Sequence, residues 1–244
     1  MPVTELQDTE KERPVARVEP KSTTQTVWEW LKSLAVALAI WYILTSLLVQ
    51  AFRIPSGSME NTLLVGDFLF VNKALYGAEL PIVHKRLPAF SEPKRSEIVV
   101  FDSVEDPGIS VVKRIVGVSG DTIGMKDNVF LLNGIPVDED YVVRGNSDDP
   151  RDPRMRSWQL KYLVGGQNRQ SYRPTLKSWG PLVVPPDSFF VMGDNRDNSR
   201  DSRFEGVRFI PEDLLVGRAV RIWMNWRWPA QGGPLWNRIG DRID

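Results

Sequence analysis

Cysteine is absent from this 244-residue chain, and histidine occurs once, at His84. The absence of cysteine excludes thiol nucleophiles, disulfide bridges and zinc sites built from cysteine and histidine. Neither sign of charge is in excess, because 31 lysine and arginine residues balance 31 aspartate and glutamate residues. No glycine-rich loop carries the Lys-Ser/Thr pair of a phosphate-binding motif. We therefore expect no cofactor, no metal and no nucleic-acid partner.

One long apolar run dominates the N-terminal part of the chain. The segment 27–52 is predominantly apolar, and no residue between Ser33 and Ala51 is charged. A helix of this length can cross roughly 30 Å of hydrocarbon. A buried core helix and a cleaved secretory signal peptide are the alternatives, but the run has no wet face and no small-residue cleavage site follows it. The sequence predicts a retained transmembrane helix over 27–52.

The residues that flank this run predict its orientation. Residues 1–26 are polar and rich in Pro, Thr, Glu and Lys, which predicts a disordered tail. Basic residues are more numerous before the run than after it, namely Lys11, Arg13, Arg17, Lys21 and Lys32 against Arg53. The positive-inside rule then predicts a single-pass protein with a cytoplasmic N-terminus and with residues 53–244 outside. The pattern does not separate a cell membrane from a thylakoid membrane.

Beyond Arg53 the pattern changes to short apolar runs separated by Gly, Pro, Asp and Asn. Strands are predicted at 67–72, 97–102, 110–118, 128–137, 187–194 and 217–223. Asn133-Gly134 predicts a tight hairpin inside the fourth of them. Two polar segments rich in Pro and Arg, about 76–96 and about 138–182, are predicted as insertions that form loops or a small subdomain. The sequence therefore predicts a mainly β domain over 53–244.

A hydrolase with this composition has few possible catalytic groups. Its nucleophile would be a hydroxyl, and its base would be His84, a carboxylate or a lysine. His84 lies in a predicted insertion next to Lys85 and Arg86, whose charges disfavour its protonation. We interpret it as a solvated loop residue, and a Ser-His-Asp hydrolase remains the alternative.

Lys113 lies in the predicted strand 110–118, in the stretch V-V-K-R-I-V. Because side chains alternate along a strand, Lys113 and Arg114 point to opposite faces, and one of them must meet apolar neighbours. Burial lowers the pKa of a lysine, and a fall of about three units costs about 4 kcal/mol but yields an amine that can accept a proton near neutral pH. The alternative is an edge lysine whose amine reaches water.

Two further stretches carry hydroxyl and charged groups. Ser58 lies in P-S-G-S-M, soon after the apolar run, where Gly57 permits unusual backbone angles. The polar loop, residues 193–203, reads G-D-N-R-D-N-S-R-D-S-R. Arg196 and Ser199 interrupt the alternation that a calcium loop requires. We predict instead a polar network in which Asp201 and Arg203 pair and a serine orients the base.

The stretches around Ser58, around Lys113 and in the polar loop, in this order along the chain, resemble the bacterial-type signal peptidase I family. Its members are membrane-bound serine proteases with a Ser/Lys dyad. The resemblance covers 55–63, 66–73, 112–121, 193–206 and 217–219. The family usually has proline where this chain has Asn61, and often where it has Ser119. These departures concern the rigidity of turns and not the chemistry.

The resemblance implies a β-barrel-like catalytic domain of antiparallel sheets and a role for each matching residue. Ser58 would be the nucleophile and Lys113 its general base, while Ser56 and the backbone N–H of Ser58 would form the oxyanion hole. Ser199 would hold the lysine amine, and Asp201 with Arg203 would brace the loop. The substrate-binding residues would be Ile54, Pro55, Met59, Val111 and Val112.

The implied partners are the lipid bilayer and the signal peptides of preproteins, with small side chains at positions −1 and −3. The alternatives are a membrane-anchored β domain that binds exported proteins without cleaving them, and a self-cleaving repressor protease. The lack of a helix-turn-helix segment disfavours the repressor. The aromatic segment 223–229 fits either a lipid-facing surface or a partly buried cluster.

Overall fold

The computed structural model describes residues 22–79, 85–145, 148–149, 151–166, 168–227 and 232–243. Its first element is the helix α1, Thr23–Leu47. By length and composition, the helical stretch Thr23–Thr45 is long and apolar enough to cross a membrane. The last residues of the predicted tail, 23–26, therefore belong to the helix, and residues 1–21 lie outside the described ranges.

The helix ends five residues before the predicted limit of 52. Residues Val49–Arg53 form the strand β1, which pairs antiparallel with Asp67–Asn72 from Val49↔Asn72 to Arg53↔Phe68. Val49 and Phe52 are residue types that favour strands, and pairing gives their backbone groups partners in the sheet. The prediction of helix up to 52 is wrong at this end.

The remaining elements include a strand at each predicted position. They are β2 Asp67–Asn72, β3 Ile98–Asp102, β4 Ser110–Gly117, β5 Thr122–Lys126, β6 Val129–Leu132, β7 Ile135–Pro136, α2 Pro153–Gln159, β8 Trp179–Val183, β9 Ser188–Met192, β10 Ile210–Pro211 and β11 Leu215–Asn225. Of these strands, β5, β8 and β10 were not predicted. Asn133 and Gly134 join β6 to β7 with φ of 53° and 81°. Both values are those of the tight hairpin turn that Asn-Gly favours.

The strands form two sheets within the described ranges. One has the order β1-β2-β11-β3-β4-β9-β10, and the other has the order β7-β6-β5-β8. All of these strand pairs are antiparallel. The prediction of a mainly β fold built of antiparallel sheets is confirmed.

Strand β3 is buried on both faces and holds the middle of the larger sheet. Ile98 and Val100 pack into one apolar cluster, whereas Val99 and Phe101 pack into another. Full burial of such a side chain contributes about 1.5–3 kcal/mol. Because β3 pairs with β4 in the register Val99↔Lys113, this core fixes the position of Lys113.

The segment predicted as the insertion 138–182 shares an apolar core with the β region. Helix α2 starts at Pro153 after Asp152, whose carboxylate accepts a hydrogen bond from the backbone N–H of Arg154. Trp158 and Trp179 pack with residues of the second sheet and with β9. The segment also supplies most of β8 to the second sheet, and its role as an insertion stays a prediction.

Candidate active site

Ser58 lies in a short 3-10 turn, Gly57–Met59. On either side of it, Ile54 and Met59 are buried in the core beside β2 and β3. The backbone N–H of Ile54 donates to Asp67 O at 2.8 Å, which ties the start of this segment to the sheet. Residues 57–62, hereafter the serine turn, are thus anchored by apolar side chains while Ser58 itself is only half-buried.

Lys113 reaches the serine turn from the middle of β4. Its Nζ donates to Ser58 Oγ at 2.8 Å and to the carbonyl oxygen of Val112 at 2.9 Å. The side chain is nearly enclosed, with Lys113 only 4% exposed. Two groups that are 55 residues apart in the chain therefore form a hydrogen-bonded pair.

The surroundings of Lys113 change its acidity. Burial lowers the pKa of Lys113 from its ordinary value of 10.5 to about 8, although the negative charges of Asp201 and Asp194 offset part of that fall. At neutral pH the neutral fraction of such an amine is about 300 times that of an ordinary lysine. The amine can therefore accept a proton from the adjacent hydroxyl under mild conditions.

The polar loop is held by a buried ion pair. Arg203 donates to both carboxylate oxygens of Asp201, at 2.8 and 2.9 Å, and Gly193 N donates to the same carboxylate at 3.1 Å. Burial alone would raise the pKa of Asp201, but the charge and hydrogen bonds of Arg203 keep it below its usual range. The predicted pairing of Asp201 with Arg203 is present in the structure.

The polar loop also contacts the serine turn directly. Asn195 N donates to Ser58 O at 3.1 Å, and its side-chain amide donates to Gly57 O at 3.2 Å. A Cβ atom at Gly193 would lie 2.4 Å from Ser58 O and 2.3 Å from Ser199 Oγ. Only glycine permits this close approach of the two segments.

Comparisons with known proteins show which proteins this chain resembles. The profile of the family described as signal peptidase, peptidase S26, matches residues 27–226. Signal peptidase I of Pseudomonas aeruginosa is 36% identical over 225 residues, which covers 87% of this chain and 78% of that protein. Signal peptidase I of Haemophilus influenzae is 32% identical, with coverage of 86% and 72%. A solved signal peptidase I structure from Enterococcus faecalis V583 is 26% identical and covers 53% of this chain and 98% of that one, with a TM-score of 0.35.

The chain belongs to the signal peptidase family, peptidase S26. It is accordingly a serine-type peptidase that removes signal peptides. The alternative of a β domain that only binds exported proteins is not favoured. The helix of Thr23–Thr45 fits a single membrane span of such a signal peptidase.

In this signal peptidase the two remaining predicted serines take different positions. Ser56 is exposed, and its Oγ lies 3.5 Å from Ser58 Oγ, so a second hydroxyl stands beside the first. Ser199 is buried, and its hydroxyl helps to keep the pKa of the neighbouring Asp201 low. The predicted hydrogen bond from Lys113 to Ser199 is not formed in this structure, in which the amine donates to Ser58 and Val112.

The groove beside the Ser58–Lys113 pair has a volume of about 350 Å³ and is lined in part by Phe101, Ile109 and Val111. Val112 packs against the core on the other side of the strand. Of the other predicted substrate residues, Pro55 is exposed, but Ile54 and Met59 lie in the core. Neither of those two lines the groove.

Two other predicted features have different outcomes. His84 lies outside the described residues, so the structure carries no information on its surroundings. Trp223 packs against Phe68 and Phe70, with ring centroids 5.5 and 5.7 Å apart, as the alternative of an aromatic cluster predicts. Contact of the segment 223–229 with lipid stays a prediction.

Sequence reasoning missed the ion pair of Arg114 with Asp194 beside the Ser58–Lys113 pair. Arg114 donates from Nε and Nη2 to the two carboxylate oxygens of Asp194, at 2.9 and 2.8 Å, and Thr62 Oγ1 donates to the same carboxylate. The alternation argument allowed one buried cation in β4, yet both Lys113 and Arg114 are buried because both faces of the strand are covered. The pairing could have been suspected from the acidic start of the polar loop.

Proposed function

We propose that this chain is a signal peptidase I in which Ser58 is the nucleophile and Lys113 the general base. The observation that carries the proposal is the hydrogen bond of 2.8 Å between Lys113 Nζ and Ser58 Oγ, made by an amine that is almost fully buried. A hydroxyl becomes nucleophilic when an adjacent base can take its proton. Burial supplies that base here, since it favours the neutral amine.

The reaction follows from this pair. Ser58 Oγ attacks the scissile carbonyl carbon as Lys113 Nζ takes the hydroxyl proton, and the oxyanion accepts hydrogen bonds from the Ser56 hydroxyl and the backbone N–H of Ser58. The C–N bond then breaks, and the lysine ammonium gives its proton to the leaving amine. Water attacks the acyl-enzyme with Lys113 again as the base, and this step releases the signal peptide and restores Ser58.

The protonated state of Lys113 needs one more acceptor. An ammonium group has three N–H donors. Ser58 Oγ and Val112 O accept hydrogen bonds from two of those of Lys113. Ser199 Oγ, which is buried in the polar loop that contacts the serine turn, fits the role of third acceptor when the proton arrives. Asp201 and Arg203 would keep the loop that carries Ser199 in place.

The substrate would be the signal peptide of an exported preprotein. Its extended chain would pair with strand edges beside the groove, and Val111 would help to limit the side chains at −1 and −3 to small ones. Residues 1–21 would be cytoplasmic, the helix would span the membrane, and the β region would work on the outer side. A substrate anchored in the same bilayer then presents its cleavage site close to the enzyme.

A cleavage assay with the detergent-purified protein and a preprotein tests this function. We expect a single cut at the signal junction, which a bulky residue at −1 of the preprotein abolishes. The variant His84→Ala should cleave at the wild-type rate, because the proposed base is a lysine. Stable binding of the preprotein without any cut would favour the binding domain, and loss of cleavage in His84→Ala would favour the Ser-His-Asp alternative.

A further inference from the structure

Residues 139–143, hereafter the strap, run between the polar loop and the serine turn. The strap is the first part of the segment predicted as an insertion. Val143 N donates to Asp194 O at 2.8 Å, and Arg196 N donates to Val143 O at 3.0 Å. These two bonds make a parallel bridge between Val143 and Asn195, which ties the strap to the polar loop.

A buried ion pair reinforces this bridge. Glu139 accepts hydrogen bonds from Nη1 and Nη2 of Arg196 at 2.7 and 2.6 Å, and the two side chains are 1% and 4% exposed. Tyr141 OH donates to the same carboxylate at 2.9 Å, and Arg196 Nε donates to Gly193 O at 3.2 Å. Removal of the carboxylate charge would leave a buried guanidinium without its counter-ion.

The strap also holds the serine turn and the neighbour of Lys113. Asn61 Nδ2 donates to Tyr141 O at 3.2 Å. Asn61 has φ of 86°, a left-handed backbone angle that asparagine tolerates better than most residues. The ring of Tyr141 lies 3.9 Å from the guanidinium of Arg114, which follows Lys113 in β4.

We propose that the strap sets the distance between Ser58 and Lys113, with Glu139 and Asn61 as positioning residues. Glu139 binds Arg196 in the polar loop. The same loop binds the serine turn, because Asn195 N donates to Ser58 O. Asn61 then connects the serine turn back to the strap. This inference rests on the proposed roles of Ser58 and Lys113. A shift of about 1 Å between reacting groups can lower a rate about 100-fold.

The variant Glu139→Gln tests the proposal, because it keeps the size of the side chain and removes its charge. We expect kcat, measured per folded molecule, to fall about 10–100-fold while KM stays within about twofold of wild type. Glu139→Asp keeps the charge and should restore part of kcat. A purely structural role would lower the amount of folded protein without this separation of kcat from KM.

Glu97 provides a matched control. Its carboxylate also accepts hydrogen bonds from an arginine and a tyrosine, namely from Arg218 Nη1 at 2.8 Å and Tyr76 OH at 2.5 Å. Its contacts in the described part of the chain do not include the serine turn or the polar loop. Glu97→Gln should therefore leave kcat unchanged, and it should lower thermal stability by less than Glu139→Gln, because the Arg218 and Glu97 side chains are 35% and 12% exposed.

A second variant keeps the proposal testable if Glu139→Gln does not fold. Asn61→Gly retains the left-handed backbone and removes the donor to Tyr141, and we expect kcat to fall about 3–10-fold. Folded variants at both positions with wild-type kcat would overturn the role of the strap. If Ser58→Ala is inactive in the same assay, that result leaves the proposed function intact, whereas an active Ser58→Ala would reject the function itself.

Discussion

Ser58→Ala reduces preprotein cleavage to background, a loss of at least about 1,000-fold in kcat. Alanine has no oxygen with which to form the acyl-enzyme, and the Lys113 amine then has no hydroxyl to activate. Ser58 is half-buried and its neighbour Met59 anchors the turn, so the variant should fold normally. The measurement is single-turnover cleavage of a preprotein, followed by separation of precursor and mature chain.

Ser56→Ala is the control for this result. It removes one proposed oxyanion donor and keeps the nucleophile, so we expect a smaller loss, about 100-fold. Both variants should retain the thermal midpoint of wild type within a few degrees. Residual cleavage by Ser58→Ala at a tenth of the wild-type rate or more would contradict the assignment of the nucleophile.

Lys113→Met also abolishes cleavage, and it makes the protein more stable at neutral pH. In the folded chain, burial lowers the pKa of Lys113 from 10.5 to about 8, so the folded state binds this proton less tightly than the unfolded state. At neutral pH that difference costs about 3 kcal/mol of stability, and the cost disappears as the pH rises from about 8 to about 10.5. Methionine removes the cost, although the lost hydrogen bonds to Ser58 and Val112 offset part of the gain.

The measurements are cleavage and thermal midpoint at pH 7 and pH 10. We expect the midpoint of Lys113→Met to exceed that of wild type at pH 7, with a smaller difference at pH 10. Lys73→Met is the control, since burial also lowers the pKa of this partly buried lysine and Lys73 does not line the groove. The Lys73→Met variant should cleave the preprotein at the wild-type rate. A Lys113→Met protein that cleaves at the wild-type rate would remove the proposed base.

Much of the strand pattern could be predicted because the apolar runs are short and bounded by turn residues. β2 at Asp67–Asn72 has the predicted limits. β1 was missed, since no turn residue separates it from the apolar helix that precedes it. β5 and β8 were missed for the opposite reason: Gly124, Gly180 and Pro181 interrupt them and resemble turn signals.

The site was predictable where chemistry is concentrated in a short stretch. Lys113 could be singled out because a charged residue in an apolar strand requires an explanation, and Asp201 with Arg203 because they are neighbours in a dense polar loop. Glu139 gave no such signal. It lies in the acidic stretch D-E-D-Y, which reads as a solvated loop, and its burial depends on Arg196, 57 residues away.

The pH dependence of kcat/KM for preprotein cleavage tests most directly whether a buried amine serves as the base. The account predicts that activity rises with pH through a single acidic limb centred near 8, the pKa of Lys113, and that His84→Ala keeps the same limb. A limb near pH 6.5 that disappears in His84→Ala would assign the base to histidine. If kcat/KM stays constant as the pH is lowered from about 9 to about 7, that result would equally contradict a lysine base with this pKa.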